Sequence, residues 1–305
     1  MRLDLSKLEG LLPRKGVERR PIIACEFSAV QVVVGRAANA SLMDVSAVRM
    51  LPPGAIVPNL TGTNIVSRSA VQSTLQEAML VVGNRTRDVI FVLPDAACRV
   101  ALLEFETIPD KREDAEAIIR FRLKKSLPFD VEQARISWQV QRVNGKLTTV
   151  AAVILSTVLE EYEATLREAG LSPGVVMPSI LAALGQVDTS LPTLVIKVDP
   201  NTTSIAIVNE NALLLIRSLD HPSGIPPQGA QLADDVHPSL VFFEDTYGAK
   251  VGRILVSGIP DLAELNAALS ESTGITAEEL VSPSRVGAAA AHQLASLGAV
   301  AGALA

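Results

Sequence analysis

The chain has 305 residues, 48% of them hydrophobic, 20% charged and only 3% aromatic, with Lys+Arg 27 against Asp+Glu 33 for a net charge of −6. That length suits about two domains or one large two-lobed fold, and the apolar content excludes disorder or a repeat-rich stalk. The acidic balance lacks the basic field of a nucleic-acid binder, and one Trp, two Tyr and seven Phe leave little for a base-stacking platform. Cys25 and Cys98 sit apart in apolar stretches, as buried thiols of a reducing compartment do, and their spacing builds no zinc site. The charged start, residues 1–20, has no apolar core of a secretory signal, so a cytoplasmic protein is expected. The segment 286–305 holds nine Ala but also His292, Gln293 and Ser296, which favours a packed helix over a membrane span.

In chain order, Ile22 to Phe27 and Val30 to Val34 are short and β-branched and predict a buried hairpin, with Asp44 to Met50 as a third strand. Leu51 to Gly62 carries Pro52, Pro53 and Pro58 and predicts a loop. A helix follows, with Ser69 and Gln72 as a capping box and Val71, Leu75, Ala78, Met79 and Val82 at helical spacing up to Gly83. Asp88 to Leu93 predicts a strand.

Asp110 is placed to cap the next helix, whose stripe is Ala115, Ile119 and Leu123, while Arg120, Arg122, Lys124 and Lys125 mark a basic face. Ile136 to Val143 and Leu147 to Leu155 flank Asn144-Gly145, the signature of a two-residue hairpin. Thr157 and Glu160 predict a second capping box, opening a helix that Gly170 ends. The order β-α-β-β-α predicts a small α+β unit inserted in the chain.

A second three-strand meander is expected at 194–198, 202–208 and 213–219, then a Pro- and Gly-rich loop over 220–230. A helix spans Leu232 to Tyr247, where Pro238 should kink it, followed by a strand at 253–257 and helices at 261–270 and 287–304. Two halves of like order suggest a duplicated, two-lobed fold with a central cleft.

Enzyme signatures are scarce. The glycine spacing of a phosphate loop occurs at Gly224 and Gly229 without its lysine, no Gly-x-Gly-x-x-Gly occurs, and no Gly-x-Ser-x-Gly elbow is present. His221, His237 and His292 are the imidazoles, and Asp234-Asp235-Val-His237 reads as the first turn of a helix before it reads as a metal or acid/base cluster.

The run Pro109 to Asp130, the segment Leu155 to Pro173, Leu240 to Gly248 and Ile254 to Gly258 together resemble the PilM family of type IV pilus assembly proteins, and are similar to the cytoplasmic domain of the secretion protein GspL. The resemblance spans most of residues 20–305. It implies an α/β, actin-like (ribonuclease H-like) two-lobed fold with an inserted α+β subdomain and a reduced fourth subdomain. The expected division is 1–20 a charged segment, 21–99 the first lobe, 100–175 the insert, and 176–305 the second lobe with the C-terminal helices. The family role it implies is a scaffold of a pilus or type II secretion inner-membrane platform, peripheral to the membrane through its partners and without a transmembrane segment of its own. Such a scaffold binds the N-terminal cytoplasmic peptide of a PilN-like protein, in the groove between the first lobe and the insert, alongside other platform components and no nucleic acid.

Relatives that bind ATP carry an Asp-x-Gly loop in each lobe, and here both are altered. Glu26 and Ser28 stand for Asp and Gly in the first, Lys197 and Asp199 in the second, with Pro200 removing a backbone donor. The degenerate nucleotide-site positions are therefore Glu26, Ser28, Thr202, Thr203, Ser257 and Gly258, and the expectation is a pseudo-ATPase with no catalytic residue, no metal and no required cofactor. The rival expectation is an active actin-superfamily ATPase or sugar-kinase-like enzyme, for which Thr202, Thr203, Ser257 and Gly258 would be the remaining phosphate and adenosine contacts, with ATP and Mg as its ligands.

Overall fold

The computed structural model describes residues 20–83, 86–221 and 223–305; the charged segment 1–19 lies outside them. Two five-stranded sheets repeat one topology. In the first, β1 (Ile23–Phe27), β2 (Gln31–Asn39) and β3 (Leu42–Met50) form an antiparallel meander, helix α1 (Arg68–Val82) crosses over, and β4 (Asp88–Leu93) returns parallel to β1. The inserted unit follows: β5 (Arg99–Phe105), α2 (Arg112–Leu123), β6 (Ala134–Val143), β7 (Lys146–Leu155) and α3 (Ser156–Glu168). β8 (Ser172–Pro178) then rejoins the first sheet beside β4, giving the order β3-β2-β1-β4-β8.

The short α4 (Ser179–Ala183) leads to the second sheet, where β9 (Thr193–Val198), β10 (Thr202–Asn209) and β11 (Ala212–Asp220) repeat the meander. After α5 (Gly229–Tyr247), β12 (Arg253–Ser257) lies parallel to β9. With α6 (Ala263–Thr273), β13 (Ala277–Glu279) and α7 (Leu294–Ala303), the chain completes the order β11-β10-β9-β12-β13. The expected duplication of topology is therefore present strand for strand.

Among the described residues, four apolar cores hold these layers. One lies under α1 and α3 on the outer face of the first sheet, and one under α5 and α6 on the second. A third joins the inner faces of both sheets around α4 and α7, and a small fourth packs α2 on the three-stranded sheet β5-β7-β6. The tails of the insert work for the first lobe: Val158, Tyr162 and Leu166 of α3 enter its core, beside Phe27 and Phe91. Between β11 and α5, the described residues of 221–228 form a loop with no helix or strand.

Several local expectations need correction. α2 begins after Lys111, not Asp110, and no side chain caps it; Asp110 sits one residue too early to reach the free amides. At α1 the N-cap is Ser67, and Gln72 donates instead to Glu168 of α3, a tertiary bond that displaces the capping box. Thr157 lies inside α3, whose N-cap is Leu155. The C-terminal segment is not one helix from 287: a 3-10 turn over Ala288–Ala290 precedes α7. By contrast Asn144 and Gly145 both have positive φ, 48° and 80°, as their hairpin turn demands.

Candidate functional site

The leading strands of the two lobes, β1 and β9, hold corresponding places in their sheets, and each ends at a tight turn. Glu26-Phe27-Ser28 on one side therefore matches Lys197-Val198-Asp199 on the other. Alternation along both strands sends the apolar middle residue into its lobe's outer core and the polar residues toward the opposite lobe. There they meet. Lys197 Nζ lies 3.1 Å from Glu26 Oε1 and also ion-pairs with Asp199 Oδ2. Ser179, the first residue of α4, donates its hydroxyl to Glu26. Asp95, just past β4, accepts the backbone N–H of Ile180 at 3.0 and 3.1 Å. Glu26, Asp95 and Lys197 are each only 4% exposed, so the cluster is a buried interlobe bridge.

Its electrostatics follow from that burial. Desolvation works against the Lys197 ammonium, but the carboxylates of Asp199, Glu26 and Asp95 outweigh it and hold its pKa above the ordinary lysine value. Burial pushes Glu26 upward against the pull of Lys197. Asp95 is likewise pushed up by burial, to about 6, with Lys197 and the Ile180 amide opposing. The two free thiols, Cys25 and Cys98, are buried and pushed upward by desolvation, which leaves them unreactive.

The turns that would cradle an anion have used most of their donors. At the first, Ser28 N–H donates to Gln31 O at 3.0 Å, while the amides of Val30 and Gln31 donate to Ser28 Oγ at 3.3 and 3.2 Å. At the second, Asp199 and Thr202 exchange backbone hydrogen bonds at 3.0 and 3.3 Å. Thr203 Oγ1 pairs with His221 Nε2 at 2.9 Å, and Thr202 Oγ1 donates to Asp220 at 3.5 Å. Ser257 Oγ and Gly258 N–H both donate to Ala295 O at 2.8 Å, anchoring the first turn of α7. Gly258 has φ 94°, and a Cβ there would stand 1.9 Å from Val198 O, so only glycine lets β12 pass this close to β9.

Of the positions singled out in the sequence, Glu26 and Lys197 are joined directly, whereas Ser257 and Gly258 serve α7 and Thr203 serves His221. Ser179 and Asp95 were not foreseen; the signal for Asp95 was a lone carboxylate in the apolar run Val92-Leu93-Pro94-Asp95-Ala96-Ala97. Among the described residues no group of three His, Cys, Asp or Glu is placed to hold a metal ion. His237 and Asp234 project from α5 into solvent. The residues fit a polyphosphate poorly: three carboxylates, Glu26, Asp95 and Asp199, surround the one ammonium of Lys197, and the amides of Ser28, Val30, Gln31, Asp199 and Thr202 are engaged within their own turns.

Two sheets of identical order, each a meander with parallel strands beside it, joined by helices at their inner faces and carrying an insert before the second repeat, define an actin-like two-lobed fold. Within that class the chain is similar, over 94% of its length and 98% of the other chain, to the solved PilM-PilN type IV pilus biogenesis complex, with TM-score 0.74 and 16% identity. It is also similar to the cytoplasmic domain of EpsL, an inner-membrane component of the type II secretion system of Vibrio cholerae, at 13% identity and TM-score 0.52, covering 91% and 93% of the two chains. No protein-family model and no curated protein matches the chain. No helix among the described residues is long and apolar enough to cross a membrane.

Proposed function

We propose that the chain is a PilM-like scaffold of a type IV pilus or type II secretion inner-membrane platform, acting by docking a short cytoplasmic peptide of a PilN-like membrane protein and not by hydrolysing ATP. The observation that carries the non-catalytic part is the buried Glu26–Lys197–Asp199 bridge, which occupies the meeting point of the two turns and already engages the one ammonium there with two carboxylates. The fold shared with PilM and EpsL over nearly the whole chain supports the platform role. The peptide groove belongs at the seam of the first lobe and the insert, where Phe129 packs against both of their cores. The protein then works at the cytoplasmic face of the inner membrane, held there by its partners.

Thermal unfolding with and without millimolar Mg-ATP, backed by titration calorimetry, tests this. A ligand at one hundred times its Kd stabilises a fold by about 2.7 kcal/mol, several degrees in Tm. The expected result is no shift and no heat. A saturable heat with a matching shift overturns the pseudo-ATPase reading in favour of an ATP-using enzyme.

A further inference from the structure

Beside the insert, a cavity of about 570 Å³ opens toward the second lobe, the size of sites that bury a drug-like ligand or a few residues of peptide. Its floor is the face of the inserted sheet that carries Val100, Leu102 and Thr148, and its roof is α5 with Pro238, Phe242 and Tyr247. The third wall is β11, and five successive residues, Leu213 to Arg217, line it. Since neighbouring side chains of a strand point to opposite faces, a wall of consecutive residues is the edge of the strand. β11 pairs with β10 alone, so this edge terminates the second sheet.

At one end the edge is already capped as a further strand would cap it. The Gln141 side-chain amide donates to Leu213 O at 2.6 Å and accepts from Leu213 N–H at 3.0 Å, and Tyr247 Oη donates to Leu214 O at 3.1 Å. Beyond that point the backbone of Leu215, Ile216 and Arg217 is bonded only on its β10 side among the described residues. The open rungs face an apolar cleft whose Phe242 is 53% exposed. Charge sets the character of the occupant. Arg217, whose guanidinium donates to Ser239, has no carboxylate within ion-pair distance among the described residues, and neither does Arg142 in the adjoining 220 Å³ cavity, whereas Glu104 is paired with Lys146.

We propose that this cleft is a strand-addition site: an extended segment of a partner protein pairs with the edge of β11 as a sixth strand. Its alternate apolar side chains pack against Leu102 on one side and Phe242 on the other, and a carboxylate meets Arg217. A segment matching the uncapped stretch Leu215 to Arg217 spans about 10 Å. The site is separate from the groove between the first lobe and the insert, so either can fail without the other.

The test is a random heptapeptide library displayed on phage, panned against the full chain, with the enriched peptides synthesised and their affinities measured. Enrichment of alternating apolar sequences bearing Asp or Glu is expected. Their binding should weaken at least tenfold in Phe242→Asp and in Arg217→Glu, survive in Phe242→Leu, and slow amide exchange at 215–217. Phe242 and Arg217 are exposed, so these variants should keep the wild-type Tm. No enrichment, or peptides that bind Phe242→Asp as tightly as wild type or protect amides elsewhere, overturns the proposal and leaves the scaffold reading, whose Mg-ATP test is separate, untouched.

Discussion

Lys197 sits 5% exposed at its side chain between Glu26 and Asp199, and the balance there is delicate because each partner is costly to bury alone. Lys197→Met should cost about 3–5 kcal/mol in chemical denaturation, since it strands Glu26 without its counter-ion. Glu26→Gln together with Lys197→Met should recover most of that loss; a double variant as unstable as the single would mean that the bridge is not the cause. Asp95 adds a pH signature. Its pKa is raised to about 6 from an unfolded value near 4, so its stabilising contribution is complete below pH 4 and is lost as the pH rises through 6. Asp95→Asn removes the titration. The variant should therefore gain on wild type by on the order of 3 kcal/mol between pH 4 and pH 7 in paired denaturation curves, and a constant gap across that range would show that Asp95 does not titrate there.

Individual elements were legible wherever one face is wet. The stripes of α1 and α2 are buried as their spacing requires, and the Asn144-Gly145 hairpin was readable from two residues. β8 was not, because Pro173, Gly174 and Pro178 read as loop; the strand is tolerated there as the last of its sheet, paired only with β4. α4 is five residues, all buried, and so has no amphipathic period to detect. In the site, the altered residues Glu26 and Lys197 could be seen in the sequence, but their pairing could not, because it depends on the approach of two lobes. The helix caps failed for a related reason: a side chain such as Gln72 found a better partner in another element. Where elements touch, tolerance is lowest. α7 crosses α4 so closely that a Cβ on Gly302 would stand 2.1 Å from Ala182 O. Gly302→Val should therefore destabilise the fold by more than about 2 kcal/mol, with Ala305→Val as a control at the partly exposed chain end; equal Tm values for the two would refute this close packing.

At the scale of the whole molecule, the lobes are joined twice, by the buried ion bridge and by the apolar core around α4 and α7. With two such joints, calorimetry should record one unfolding transition for both lobes. Separate transitions would mean that the lobes are independent. The same central core draws Leu297, Ala299, Val300 and Ala303 from the end of the chain and packs them with Val33 and Ile90 of the first sheet and Val195 and Leu255 of the second. α7 is thus a keystone shared by two arches: each sheet covers its inner apolar face with the same helix, so a change that loosens α7 should weaken both lobes at once and not one of them alone.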